Sequence, residues 1–361
     1  MLRLHDEAFL RLVRGQTHGI FASVARVGLG IAASGYSLAV AYRNWGYDRG
    51  RRPVSQAGVP VVSVGNLTLG GTGKTPMVEW VARWYRAHDV RVAILSRGYR
   101  RGGDAGVNDE AMVLEQNLPD VPHLQDPDRV AIAGVAVEEL ESQLLILDDG
   151  FQHRRLARDL DLVLLDALEP FGLGRIFPRG LLREPISSLR RATVVVISRA
   201  DLVDDSKLLA IEAEAVRNAG PLRFVRTRHA PRDLIGTGVE PASIASLKDR
   251  AVAAFCGIGN PEGFLRTITP HCDRVVGFRR FPDHHAYDAN DVADLSKWVR
   301  ETGADLVLTT QKDLVKLRTA SLGSTPLRAL RIGLEILSGV EILEDSLSTL
   351  LRNDRPAAPV D

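Results

Sequence analysis

Cysteine is nearly absent: Cys256 and Cys272 are the only two in 361 residues, and they do not form a C-x-x-C pair. That spacing excludes a disulfide framework, argues against a zinc site and suits a reducing compartment, with both thiols as core filler. Charge of one sign is also lacking. Lys+Arg 46 against Asp+Glu 45 leaves a net charge of +1, so a nucleic-acid partner has no electrostatic support at the level of the whole chain. No internal repeat is present, and no small-residue cleavage site follows the N-terminal apolar stretch before the basic run, which argues against a signal peptide. What is abundant is ordinary core material. With 45% apolar and 25% charged residues, the chain is long enough to bury a sizeable core and to form about two domains.

The most informative run is Gly70-Gly71-Thr72-Gly73-Lys74-Thr75, which follows the apolar stretch Val59-Pro60-Val61-Val62-Ser63-Val64-Gly65. Glycines let successive backbone N–H groups turn toward a phosphate without Cβ clashes. Lys74 adds a point charge for the β- and γ-phosphates, and the Thr75 hydroxyl suits Mg²⁺. Thr68, Leu69, Gly70, Gly71, Thr72, Gly73, Lys74 and Thr75 are therefore the candidate nucleotide-binding residues. Met77 to Trp84 reads as the first turns of an amphipathic helix whose N-terminal dipole favours an anion, and Pro76 fits its first turn. The strict pattern G-x-x-x-x-G-K-[ST] fails at one position, where Thr68 stands in place of glycine.

From Ile20 to Tyr42 the only charged residue is Arg26, and arginines flank the stretch on both sides: Arg3, Arg11 and Arg14 before, Arg43, Arg49, Arg51 and Arg52 after. The symmetry removes any positive-inside signal. A helix lying in the membrane interface, arginines at the headgroups and Tyr36, Tyr42 and Trp45 at the boundary, fits this pattern. A buried helix of a soluble protein and a membrane span are the alternatives.

Further along, Val90–Leu95, Leu144–Leu147, Leu160–Asp166 and Thr193–Ser198 are short apolar runs that end in polar clusters. Such runs predict strands buried on both faces, hence an α/β fold with a mostly parallel sheet, helices on both faces and ligands at the strands' carboxyl ends. The pattern restarts near Pro231, with Ala251–Cys256 and Asp305–Thr310 as strands of a smaller α/β unit. The expected organisation is a membrane-associating segment over 1–52, a phosphate-loop core over 53–230, a C-terminal α/β domain over 231–351 and a frayed tail over 352–361. The segment Ser198-Arg199-Ala200-Asp201 has a distant likeness to the base-reading segment of GTPases, but a strand ending in a polar turn is ordinary, and the likeness is read as coincidence.

Phosphoryl transfer needs a magnesium carboxylate opposite the phosphate loop, and Asp148-Asp149 after its apolar run is placed like a Walker B element. Asp109-Glu110 is a second acidic pair, and His284-His285 supplies imidazoles that titrate near neutrality.

Taken together, these residues resemble the tetraacyldisaccharide 4′-kinases, the inner-membrane lipid A 4′-kinases of Gram-negative bacteria. The likeness rests on Val64 to Pro76, Leu95-Ser96-Arg97-Gly98-Tyr99, Leu147-Asp148-Asp149-Gly150-Phe151-Gln152-His153 and Gly180-Leu181-Leu182-Arg183-Glu184-Pro185, and in the C-terminal half Gly257 to Pro261, Asp283-His284 and Gln311-Lys312-Asp313 also resemble family segments. Thr68 is no anomaly in this family. The resemblance implies a P-loop NTPase-like kinase at the cytoplasmic face of the inner membrane, peripheral or monotopic, with ATP and Mg²⁺ as cofactors. It would move the γ-phosphate of ATP to the 4′-hydroxyl of a tetraacylated glucosamine disaccharide 1-phosphate, forming lipid IVA. It further implies Asp109 as catalytic base, His284 as its partner, Lys74 in transfer, Thr75, Glu110, Asp148 and Asp149 at the metal, and Arg97 and Arg183 at substrate phosphate. One departure is Asn108, where the family usually has glycine. With His284 in one domain and Lys74 in the other, turnover would depend on a hinge. A P-loop switch and a soluble small-molecule kinase share the loop and Asp148, and need no acylated acceptor.

Overall fold

The structure is a computed structural model, and it describes residues 7–98 and 109–352. Contacts divide the chain into two units: the first comprises 7–97, 124–228 and 335–352 of the described residues, the second 98, 109–123 and 229–334.

In the first unit the predicted apolar runs form strands at Val61–Asn66, Val92–Ser96, Leu144–Asp148, Leu160–Asp166 and Val194–Ser198. All pair in parallel. Val61–Asn66 lies between Leu144–Asp148 and Leu160–Asp166, Val92–Ser96 flanks the former, and Val194–Ser198 flanks the latter. The chain thus leaves its first strand where the strand order reverses, the position at which open parallel sheets bind ligands beyond the carboxyl ends. Both faces are covered: one core gathers Leu67, Phe151, Val163, Leu165, Val195 and Ile197, the other Val61, Ala93, Leu95, Leu145 and Leu147. The helix after the loop runs Lys74–Arg86, three residues earlier than the apolar pattern alone suggests, with Gly73 in the left-handed region at its start.

The N-terminal helix extends over Ile20–Asp48, starting with the apolar stretch and running six residues beyond its end at Tyr42. Its C-terminal part docks by charge. Glu184, fully buried, takes Arg43 at 2.5 Å, Arg191 at 2.7 Å and the Asn44 amide at 3.2 Å, while Asp48 takes Arg154 and Arg190, each at 2.8 Å. Its N-terminal part leaves Ile20, Phe21, Val24, Val27 and Ile31 in the open, with Phe21 92% exposed. The buried-helix alternative therefore does not describe this element, which among the described residues is the one helix long and apolar enough to cross a membrane.

The second unit has its own parallel strands, Arg274–Arg280, Ala251–Cys256 and Leu306–Thr310, with Thr325–Ser338 pairing the last of these. Its cores gather around Val252, Ala254, Cys256 and Leu308 on one face and Phe255, Leu295, Val307 and Leu327 on the other. The division differs from the sequence reading in that residues 7–52 group with the core of the first unit, and two later segments change sides. Residues 109–123 join the second unit although they precede 230, because the helix Asp109–Asn117 packs on Gln311–Leu317, where the Gln311 amide donates to Gln116 and Asn117, each at 2.8 Å. Residues 335–352 join the first, where Tyr85 donates to the Leu347 carbonyl at 3.0 Å and Arg223 pairs with Asp345 at 3.1 Å. The tail beyond 352, Tyr99, Asn108 and Arg3 lie outside the described residues.

Candidate active site

The phosphate loop leaves the first strand at Asn66, whose amide donates to the Thr68 carbonyl at 2.8 Å. Leu69 N–H donates to Leu181 O at 2.8 Å, and Arg183 N–H to Leu67 O at 2.7 Å. The segment 181–183 is thereby stitched beneath the loop. Gly70 and Gly73 have positive φ, at 113° and 85°, whereas Thr68 does not. A side chain at 68 is accordingly unstrained, which is the physical reason the strict glycine pattern is dispensable there.

Asp148 ends its strand, and Asp149 turns with φ 53°. Two glycines make that turn possible. A Cβ on Gly65 would lie 2.5 Å from the Phe151 Cβ, and one on Gly150 would lie 2.6 Å from Ser63 Oγ, so the turn sits directly on the first strand. Phe151 fills the core, and the Gln152 amide donates to the Asn66 carbonyl at 3.0 Å.

The Asp149 carboxylate receives Arg183 Nη1 at 2.7 and 2.9 Å and lies 3.5 Å from Lys74 Nζ. Burial pushes its proton affinity up, but Lys74 and Arg183 outweigh that and bring it down to about 2. The loop lysine is thus held against an anion. Arg183, expected at substrate phosphate, has its guanidinium on Asp149; Arg97 is exposed at the end of Val92–Ser96. Sequence reasoning missed Arg129, which is buried and donates to the Asp149 carbonyl at 3.0 Å. Nothing in its sequence setting marks it.

In the second unit, Asp109 opens the helix Asp109–Asn117, and its Oδ2 lies 3.0 Å from His284 Nδ1. His284 takes φ 59°, a left-handed conformation uncommon outside glycine and found repeatedly at functional turns. Asp109 is only 3% exposed. Burial raises its proton affinity, yet the hydrogen bond with His284 and the charge of Lys316 leave it below the ordinary carboxylate value; His284 in turn is raised by that hydrogen bond against its own burial. Glu110, also lowered against burial, pairs with Lys312 Nζ at 2.5 Å.

Lys316 was missed by motif reading. Its Nζ lies 3.2 Å from Asp109 Oδ2, 3.6 Å from Asp313 Oδ1 and 5.6 Å from the Tyr287 ring centroid. The signal that could have found it is the spacing Lys312-x-x-x-Lys316, which puts two cations on one helix face to meet the consecutive acids Asp109 and Glu110. Asp313 is itself fully buried and receives Gly257 N–H, Tyr287 O–H and Thr310 O–H. His285 turns elsewhere, to Asp291 at 2.8 Å.

The LpxK family model, Tetraacyldisaccharide-1-P 4'-kinase, matches residues 25–352. A tetraacyldisaccharide 4'-kinase from Anaeromyxobacter dehalogenans (strain 2CP-C) is 42% identical over 348 residues, covering 91% of this chain and 92% of the relative. One from Syntrophus aciditrophicus is 37% identical over 305 residues, with 78% and 82% covered. Among solved structures, LpxK from Aquifex aeolicus, crystallised in complex with ATP, superposes with a TM-score of 0.72 at 30% identity, over 90% of this chain and 99% of that one. The match runs from within the N-terminal helix through both units, and the chain belongs to the tetraacyldisaccharide 4′-kinase family.

Proposed function

We propose that this chain phosphorylates the 4′-hydroxyl of a tetraacylated glucosamine disaccharide 1-phosphate with ATP, forming the lipid A precursor lipid IVA. In this reading residues 68–75 hold the donor's phosphates and Asp109 is the proton acceptor. The observation that carries this reading over a nucleotide switch is the Asp109–His284 contact at 3.0 Å: a carboxylate kept anionic beside an imidazole serves deprotonation of an alcohol, for which a switch has no use. A sugar hydroxyl is a poor nucleophile. Asp109 takes its proton as the bond from the sugar oxygen to the γ-phosphorus forms and the bond from that phosphorus to the β–γ bridging oxygen breaks, ADP leaving; His284 orients the carboxylate and shares the charge.

Lys74 and the loop amides bind the β- and γ-phosphates. The oxygen donors Thr75, Asp148 and Asp149 fit Mg²⁺, a hard cation that takes one or two carboxylates and completes its shell with water and phosphate oxygens. When bound, the ion neutralises charge on those phosphates. Nucleotide binding would draw Lys74 from Asp149, leaving that carboxylate for the cation, with Arg183 and Arg129 fixing its turn. Glu110 is a further hard donor, which Lys312 would have to release. Arg97, exposed at a strand's carboxyl end, is assigned to substrate phosphate.

The exposed apolar face at Ile20, Phe21, Val24, Val27 and Ile31 supports attachment to the cytoplasmic face of the inner membrane, the side on which ATP is available, with the helix lying in the interface and delivering an acylated substrate. The test is transfer of label from γ-labelled ATP. Label should reach lipid only when the detergent-dispersed acylated disaccharide phosphate is supplied, and folded Lys74→Ala should transfer none. ATP turnover that is equal with and without lipid would overturn the reading.

A further inference from the structure

We propose that Arg199, with Ser198, is the positioning device of the phosphate loop, a role that the likeness of Ser198-Arg199-Ala200-Asp201 to a base-reading segment does not by itself supply. The inference rests on the reading of residues 70–75 as a nucleotide site and adds what holds that site in shape.

Glycine-rich loops have many backbone conformations of similar energy, and an array of inward N–H groups is one of them. Something must select it. In a trans peptide the carbonyl of one residue and the N–H of the next point in opposite directions. Anchoring a carbonyl outward therefore aims the following N–H inward. Two consecutive loop carbonyls are anchored from the same strand end. Arg199 Nη2 donates to Gly71 O at 2.5 Å, and Ser198 Oγ donates to Thr72 O at 2.8 Å. These two contacts set the directions of the Thr72 and Gly73 N–H groups, the amides immediately before Lys74.

The anchor is itself fixed. Arg199 Nη1 lies 3.2 Å from Asp166 Oδ2, and the other Asp166 oxygen receives the Leu168 N–H at 3.1 Å. Asp166 and Ser198 are paired residues at the carboxyl ends of neighbouring parallel strands, so the guanidinium spans from the rigid sheet edge to the loop. Arg199 also takes φ 54° and ψ 35°. A left-handed arginine is unfavourable unless its surroundings hold it, and here that conformation accompanies a side chain reaching back to the loop. The Ser198 hydroxyl is fully buried, which makes its bond to Thr72 O hard to replace by water.

Arg199→Ala should weaken MgATP binding by tenfold or more, measured by titration with a fluorescent ATP analogue. KM for ATP should rise by the same factor while kcat at saturating ATP and KM for the lipid change less than threefold. Arg199→Lys, which retains one donor for the carbonyl, should recover part of the affinity, and Ser198→Ala should move it in the same direction by a smaller factor. Amide exchange at Thr72 and Gly73 should speed up in Arg199→Ala. If Arg199→Ala proves unstable, Arg199→Lys and Ser198→Ala carry the comparison. Arg199→Ala and Ser198→Ala that both bind the nucleotide like the parent, while Lys74→Ala does not bind it, would overturn this proposal alone. Parent protein that binds no nucleotide would instead overturn the reading of the loop.

Discussion

Replacing Lys316 by methionine tests how the second unit keeps Asp109 ionised. The lysine is 7% exposed and faces two buried carboxylates, Asp109 at 3% and Asp313 at 0%. Removing one partner of a buried ion pair costs about 3–5 kcal/mol, because the remaining charge is left uncompensated. The low end applies. Asp313 keeps donors from Gly257, Tyr287 and Thr310, and Asp109 keeps His284, so we expect about 3 kcal/mol. Native-state hydrogen exchange of the helix Gln311–Leu317 reads the opening free energy directly. Adding Asp109→Asn to Lys316→Met should recover part of the loss, since contacting charges are not additive. Activity should respond separately: without the cation that lowers Asp109, the carboxylate binds a proton at higher pH, and the acid limb of kcat moves up. A loss below about 0.5 kcal/mol, the size of an ordinary surface change, together with an unmoved acid limb, would refute the assignment.

The Asp109–His284 pair also predicts a pH dependence of stability. His284 is raised above its ordinary 6.5, so its contribution is complete below that value and is lost as pH rises through the folded value; Asp109 is lowered below 3.8, so its contribution is complete above that value and lost in stronger acid. The Tm difference between the parent and His284→Gln should therefore be larger at pH 6 than at pH 9, and a constant difference would contradict the pairing. Gly65→Ala should destabilise by about 1–3 kcal/mol by overpacking, since the added Cβ meets Phe151 at 2.5 Å, and it should raise KM for ATP by shifting the Asp148-Asp149 turn; a neutral effect on denaturant midpoint would show that the turn is loosely seated. Replacing Phe21 and Ile31 by serine should reduce sedimentation with anionic vesicles while leaving the Tm within about 2 °C, because both side chains are exposed; unchanged sedimentation would place attachment on another surface.

Much of the architecture could be read along the chain because parallel strands buried on both faces are continuous apolar runs. Leu160–Asp166 and Ala251–Cys256 match their sequence bounds, and the phosphate loop announced itself through glycine spacing. These signals are local: they depend on residues within one turn or one strand. Membership of 109–123 in the second unit was not local. It depends on amide and charge contacts between helices almost two hundred residues apart in the chain, as with Gln311 and Asn117 at a separation of 194.

The same reason explains the site. Sequence alone was sufficient to nominate Lys74, Asp148 and Asp149, because their motif context is carried by neighbouring residues, whereas Asp109 and His284 took their roles from the family resemblance. Only the tertiary structure decided that Arg183 turns its guanidinium to Asp149, that Lys316 stands between Asp109 and Asp313, and that Arg199 braces the loop at Gly71. An arginine or lysine in isolation has the same charge wherever it stands. Its partner is chosen by which strand ends and helix faces folding brings within about 3 Å, and no pattern in the linear chain encodes that distance.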